Sequence, residues 1–148
     1  MRLTKAGDYA IRCMHYLSAQ ERGRVVPRKE IAREMQIPDQ FLSKIAQQLS
    51  HAKFIEIVQG AAGGYRLLVP AHQLSLLDVV EAMVGELVLN DCVQMPHTCF
   101  QSSNCSIRKV WVRIRNQMRE TMKQTTFAKI LEDEGIEVPA GWSAGTEK

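Results

Sequence analysis

The run from Pro27 to Pro70 constrains this chain more than any other feature. Pro27 suits the first turn of a helix, because its missing N–H would be unpaired there anyway. Ile31 and Met35 then fall at helical spacing, facing inward, and Gln36-Ile37 makes a short break. Pro38 and Asp39 open a further helix to about His51, with Leu42, Ile45 and Leu49 as its buried stripe, helped by Phe41. Two short helices parted by a few residues outline a helix-turn-helix. Phe54-Ile55-Glu56-Ile57-Val58 follows, alternating and rich in β-branched side chains. After Gly60-Ala61-Ala62-Gly63-Gly64 comes a second such run, Tyr65-Arg66-Leu67-Leu68-Val69, stopped by Pro70. Strand, glycine turn, strand is a hairpin, and a hairpin directly after a helix-turn-helix is a wing. The expected fold is mainly α with this one small β-hairpin.

The flanks are helical. Leu3, Ala6, Ala10, Cys13 or Met14, and Leu17 recur at three- and four-residue steps, with Thr4 placed to cap, so a helix is expected over about 3–20. Asp8, Arg12 and His15 share its opposite face. Ser75 and Asp78 start a helix that ends near Gly85. Residues 90–104 have little periodicity and read as a loop. A long helix is expected from Ser106 to Lys123, carrying Ile107, Val110 or Trp111, Ile114 and Met118 on one stripe. That stripe suits a seam between two copies of the chain. A shorter helix, about Thr126 to Glu134, is stopped by Gly135, and 135–148 reads as a flexible tail.

Charge divides the chain in a way its net +3 hides. Residues 1–70 carry eleven basic against six acidic side chains, whereas residues 71–107 carry no Lys or Arg and four acids. The first part therefore suits an anionic partner. With 45% apolar and 24% charged residues, disorder and collagen-like structure are excluded. There is no apolar run of membrane-span length and no signal-peptide pattern at the start, so a cytoplasmic protein without a membrane partner is expected. The chain has no P-loop, no GxSxG and no His-rich catalytic pair, so it does not read as an enzyme.

On the second helix of the helix-turn-helix, Gln40, Ser43, Lys44, Gln47 and Gln48 lie away from the apolar stripe. Their amides, hydroxyl and amine can bond to base edges or phosphates. Arg2, Lys5, Arg24, Arg28, Lys29, Lys53 and Arg66 are near in sequence and could neutralise phosphates. Gln59, Gly60 and Gly63 could bring the wing backbone close to a minor groove. Any one of these alone would be an ordinary solvated surface; the set points to double-stranded DNA.

Of the four cysteines, Cys92, Cys99 and Cys105 crowd into the acidic segment. In a reducing compartment this suggests a metal or redox site rather than a disulfide framework. Thiolates are the favoured ligands of iron–sulfur clusters and also bind zinc. Three thiols leave a four-iron cluster or a tetrahedral zinc one ligand short, with Asp8, His97 or an external small ligand to complete it. Taken locally, Asp8 reads as a surface carboxylate paired with Arg12 four residues on, His97 as an exposed loop residue, and Cys13 as a small core residue.

The combined pattern resembles the Rrf-type winged-helix transcription regulators, in their cluster-binding branch. The resemblance runs over roughly residues 1–132. It is carried by Met1-Arg2-Leu3-Thr4 with Asp8-Tyr9-Ala10, by Ile31-Ala32 and by Phe41-Leu42-Ser43-Lys44-Ile45. The stretches Gly60-Ala61-Ala62-Gly63-Gly64-Tyr65-Arg66-Leu67 and Ser75-Leu76-Leu77-Asp78-Val79-Val80 match as well. The resemblance implies a homodimer gripping a palindromic operator, and an iron–sulfur cluster on Cys92, Cys99 and Cys105. A four-iron cluster is the first expectation and a two-iron cluster the alternative.

The cluster-biogenesis branch of the family has a histidine three residues after the third cysteine; here Arg108 stands there. The nitric-oxide-sensing branch completes the cluster with an aspartate of the partner subunit's first helix, a position matched by Asp8. Arg12 and His97 would support that ligand set. Many members carry an arginine just before the first wing glycine, where this chain has Gln59.

Together these readings lead to one expectation. It is a winged helix-turn-helix over 1–84, a cysteine-bearing sensor loop over 85–106, and a dimerisation helix with a last helix over 107–134. The protein would be a repressor whose DNA affinity answers to nitric oxide, redox state or iron through the cluster. The DNA contacts would be Arg2, Arg28, Lys29, Gln40, Ser43, Lys44, Gln47, Gln59, Gly60 and Gly63. The alternatives are a cluster-free thiol or zinc regulator and, from another class, an iron–sulfur carrier or redox protein.

Overall fold

The computed structural model describes residues 3–142. Helix α1 (Lys5–Ser18) begins where Thr4 Oγ1 accepts from the Gly7 N–H at 3.1 Å, satisfying one of the helix's unpaired donors. Of the expected stripe it buries Ala10, Cys13, Met14 and Leu17; Ala6 is half-buried, and Leu3, which precedes the capping Thr4 and so lies outside the helix, is exposed. Cys13 is wholly enclosed, and burial pushes its thiol up to about 12, consistent with a core residue.

Helices α2 (Arg28–Glu34) and α3 (Asp39–His51) form the helix-turn-helix. Ile31 from α2 and Leu42, Ile45, Ala46 and Leu49 from α3 enter the same core as α1. Phe41 departs from expectation: it is 46% exposed and rests on Tyr9, ring centroids 6.1 Å apart, instead of joining the stripe. Its position one residue before Leu42 turns it about 100° off the buried face.

Strands β1 (Ile55–Val58) and β2 (Gly64–Leu67) pair antiparallel, with Ile55 opposite Leu67 and Val58 opposite Gly64. A short bridge adds Val26 beside Tyr65, through bonds of 2.8 and 2.9 Å. Glycine is required at 64: a Cβ there would lie 2.0 Å from the Val26 carbonyl oxygen. The wing is thus fastened to the residues that lead into α2.

Helix α4 (Leu76–Val84) starts in a capping box between Ser75 and Asp78, as the sequence predicts. The stretch expected as a loop contains a short helix, α5 (Asp91–Gln94), and a 3₁₀ turn at Pro96–Thr98. Elements of four and three residues are too short to leave a periodic signal. Helix α6 (Ser106–Gln124) buries none of its residues fully, although Met118 and Met122 pack against Leu77, Val80 and Leu87. Glu81 of α4 pairs with Arg119 of α6, and Glu86 with Arg115 at 3.5 Å. Helix α7 (Phe127–Asp133) returns Phe127, Ala128 and Leu131 to the core.

The chain after Gly135 differs from the flexible tail expected of it, as far as it is described. Trp142 is 2% exposed, and its Nε1 donates to the Gln20 carbonyl at 2.8 Å. The Arg22 guanidinium lies 5.7 Å from the centre of its ring. Indole burial with a satisfied N–H is enough to hold a segment that has no helical or strand pattern. Residues 143–148 lie outside the described residues. Among those described, no helix is long and apolar enough to cross a membrane.

Candidate nucleic-acid interface and cysteine segment

The α2 start, α3 and the wing enclose an open cleft of about 510 Å³. Arg28, Lys29, Ser43, Gln47, Gln59, Gly60 and Gly63 all line it, so seven of the ten expected DNA contacts converge on one surface. Gly60 (φ +103°) takes the left-handed region that the wing turn needs. Lys44 borders an adjoining groove with Gln47, Gln48 and His51. Gln40 is exposed on the first turn of α3. Arg2 lies outside the described residues.

Not every cation of the basic half is free for a phosphate. The Arg28 guanidinium donates to Ser43 Oγ at 2.9 Å and pairs with Asp39 at 2.9 Å, so it ties α2 to the outer face of α3. Arg24 pairs with Glu30, and Arg66 with Glu56 across the hairpin. Tyr16 Oη also donates to Glu30 at 2.7 Å. That hydrogen bond, with the nearby arginines, lowers the Glu30 carboxyl below its usual range. Lys29, Lys44 and Lys53 are exposed. Sequence spacing could not separate these groups, because the carboxylate partners come from other elements.

The cysteine segment sits against α6. All four cysteines are free thiols, and Cys92, Cys99 and Cys105 are half-buried. Cys105 caps α6, its Sγ accepting from the Arg108 N–H at 3.4 Å. The Arg108 side chain reaches back and donates from Nε to the Cys92 carbonyl at 2.7 Å. In sequence, Arg108 stands out only as the residue at the position of the histidine of the cluster-biogenesis branch. Its contact with Cys92, sixteen residues away, is visible only in the fold.

Three unpaired soft donors in one half-buried segment suit an iron–sulfur cluster or zinc by their chemistry. Their arrangement is open: among the described residues, no three His, Cys, Asp or Glu side chains stand close enough to hold a metal ion. Metal uptake therefore requires the segment to draw together. His97 is exposed at the 3₁₀ turn. Asp8 pairs with Arg12 at 2.8 Å within α1, and Arg12 lies 5.6 Å from the centre of the Tyr9 ring. Asp8, Arg12, Tyr9 and Phe41 thus form a contact chain from α1 to α3.

The chain is similar to known proteins in sequence and in fold. A family model described as Rrf2, iron-dependent transcriptional regulator, matches residues 3–133. The chain is 32% identical over 133 residues to Protein aau3 of Rhizobium meliloti, covering 88% of this chain and 85% of that protein. It is 24% identical over 136 residues to the HTH-type transcriptional regulator IscR of Vibrio campbellii, covering 92% and 80%. The crystal structure of the oxidised form of Staphylococcus aureus CymR superposes with a TM-score of 0.70 at 28% identity, covering 89% of this chain and 97% of that one. The winged helix, the polar cleft and the extent of these matches lead to one conclusion: the chain belongs to the Rrf2 family of DNA-binding transcriptional regulators.

Proposed function

We propose that the protein is a homodimeric repressor of a palindromic operator, with its DNA affinity governed by an iron–sulfur cluster. Cys92, Cys99 and Cys105 would hold the cluster, with Asp8 of the partner subunit as fourth ligand and Arg12 and His97 alongside. A four-iron cluster suits this set best. The observation that carries the reading is the cysteine segment itself: three half-buried free thiols, with Arg108 of α6 joining the Cys92 carbonyl to the Cys105 end. When bound, the cluster supplies a centre that reacts with nitric oxide and oxygen and is lost on iron withdrawal.

The residues of this chain suggest how that would reach DNA. Ile107, Val110, Trp111 and Ile114 stand exposed along α6, Ile107 at 68%, and would meet a second copy. If Asp8 leaves Arg12 to serve the partner's site, the contacts of Arg12 with Tyr9, and of Tyr9 with Phe41 on α3, are disturbed. Half-sites about 34 Å apart are sensitive to the separation of two such helices. A tenfold change in affinity needs only about 1.4 kcal/mol of differential stabilisation.

The test is the iron, sulfide and visible spectrum of anaerobically purified protein, wild type beside Cys92→Ala, Cys99→Ala and Cys105→Ala. A coloured wild type with each variant depleted of iron supports the reading. A colourless wild type holding zinc, or one that switches DNA binding by forming disulfides, overturns it in favour of a cluster-free regulator. A cluster-loaded protein that binds no DNA would instead indicate a carrier or redox protein.

A further inference from the structure

The first residue of α3 is a carboxylate, on the helix that also carries Ser43, Lys44 and Gln47. Asp39, Ser43 and Gln47 stand at four-residue steps, so they share one side of α3, away from buried Leu42, Ile45 and Leu49. The Asp39 side chain is 51% exposed. Its Oδ1 pairs with Arg28 Nε at 2.9 Å, and the same guanidinium donates from Nη1 to Ser43 Oγ at 2.9 Å. One arginine of α2 therefore holds the first two members of the row. Arg28, Ser43 and Gln47 line the cleft beside the wing, and Asp39 joins that surface through Arg28.

A carboxylate at this place opposes the partner that the family binds. The first residues of a recognition helix are those that meet base edges in the major groove, and a bare anion there is repelled by the phosphates. An acid in the first turn suits the helix dipole, but it would do so without an arginine. Arg28 offsets the charge and fixes the carboxylate by one oxygen. The other, Oδ2, accepts no hydrogen bond among the described residues. In the major groove cytosine presents a donor, its N4 amino group, where guanine and thymine present acceptors. A carboxylate oxygen with open lone pairs accepts from the first and is repelled by the others.

We propose that Asp39 is a specificity-determining residue of the DNA contact: its Oδ2 accepts from the N4 amino group of one cytosine in each half-site, while Arg28 holds Oδ1. This rests on the operator-binding part of the reading above and not on the cluster. Arg28 is then a positioning residue for Asp39. With guanine or thymine at that base pair the carboxylate faces an oxygen, and with adenine it meets the N7 acceptor beside the amino group. Unmatched DNA leaves the negative charge uncompensated, so discrimination comes from rejection as much as from attraction.

The test uses the full chain, purified anaerobically, and a pool of randomised DNA duplexes from which bound molecules are recovered and sequenced. Wild type is compared with Asp39→Ala, Asp39→Asn and Arg28→Ala. Wild type is expected to enrich cytosine at one position of each half-site by about tenfold over guanine and thymine. Asp39→Ala is expected to lose that preference alone, and to bind a scrambled duplex more tightly than wild type. Asp39→Asn, whose amide can bond both N6 and N7 of adenine, is expected to move the preference at the same position to adenine. Arg28→Ala is expected to weaken binding to every sequence, because the carboxylate is left without its partner, and adding Asp39→Ala to restore part of the loss. Enrichment profiles of both Asp39 variants identical to wild type overturn the proposal alone. A uniform loss of affinity in both, through unfolding or otherwise, also overturns it, in favour of a structural role at the helix end. A wild type that enriches no sequence overturns operator binding and this proposal with it.

Discussion

Arg108 joins the two ends of the cysteine segment: its Nε donates to the Cys92 carbonyl at 2.7 Å, while its own N–H is capped by Cys105. A hydrogen bond from a charged donor contributes about 1.5–3 kcal/mol. Arg108→Ala should free Cys92 from Cys105 and leave the core intact. Several-fold faster iron loss from the reconstituted variant is expected, with an unchanged far-ultraviolet circular dichroism spectrum. Iron retention equal to wild type would remove Arg108 from the site.

On the outer face of α3, Lys44 and Gln47 should behave differently. Lys44→Ala should weaken binding to all DNA alike and lower the slope of log affinity against log salt by about 1. Gln47→Ala should relax sequence discrimination by about 1–3 kcal/mol at one base pair, with little change in that slope. Fluorescence anisotropy with operator and scrambled duplexes over a salt series separates the two. Identical profiles would place base reading elsewhere on α3.

At the wing, a methyl group on residue 64 would meet the Val26 carbonyl oxygen at 2.0 Å. Gly64→Ala should therefore cost about 1–3 kcal/mol in a urea titration, through the forced separation of β2 from Val26. DNA affinity should fall with it, since Gln59, Gly60 and Gly63 belong to the same hairpin. Full stability in this variant would mean that the wing is not fastened at Val26.

The C-terminal strap has its own test. Trp142→Ala removes a buried indole and its bond to Gln20, an expected loss of about 3–5 kcal/mol. A variant as stable as wild type would show the strap to be detached in solution.

Thiol chemistry should divide the cysteines. Burial raises Cys13 from 9.0 to about 12, so in metal-free native protein it should resist iodoacetamide at pH 8 while Cys92, Cys99 and Cys105 are alkylated. Because the folded-state thiol titrates higher than the unfolded one, its contribution to stability is complete below about pH 9 and lost as the pH rises towards 12. Mass spectrometry of the alkylated protein checks the first statement.

These features were unequally legible in the sequence. Capping by Thr4 and Ser75, the α3 stripe and the glycine wing are local, and spacing alone finds them. An apolar pattern does not distinguish a core contact from the outward contact that Phe41 makes with Tyr9. Arg24, Arg28 and Arg66 looked like free cations because their carboxylate partners are set by packing. The Arg108 bond to Cys92 and the Trp142 bond to Gln20 span 16 and 122 residues, and no local pattern announces them.

The most direct test of cluster-governed DNA binding is a titration of operator DNA with anaerobic protein, first cluster-loaded and then stripped by a chelator or treated with nitric oxide. The expected result is at least a tenfold fall in affinity when the cluster is lost, reversed by reconstitution and absent in Cys99→Ala. Equal affinity of the loaded and stripped forms would contradict the proposed function.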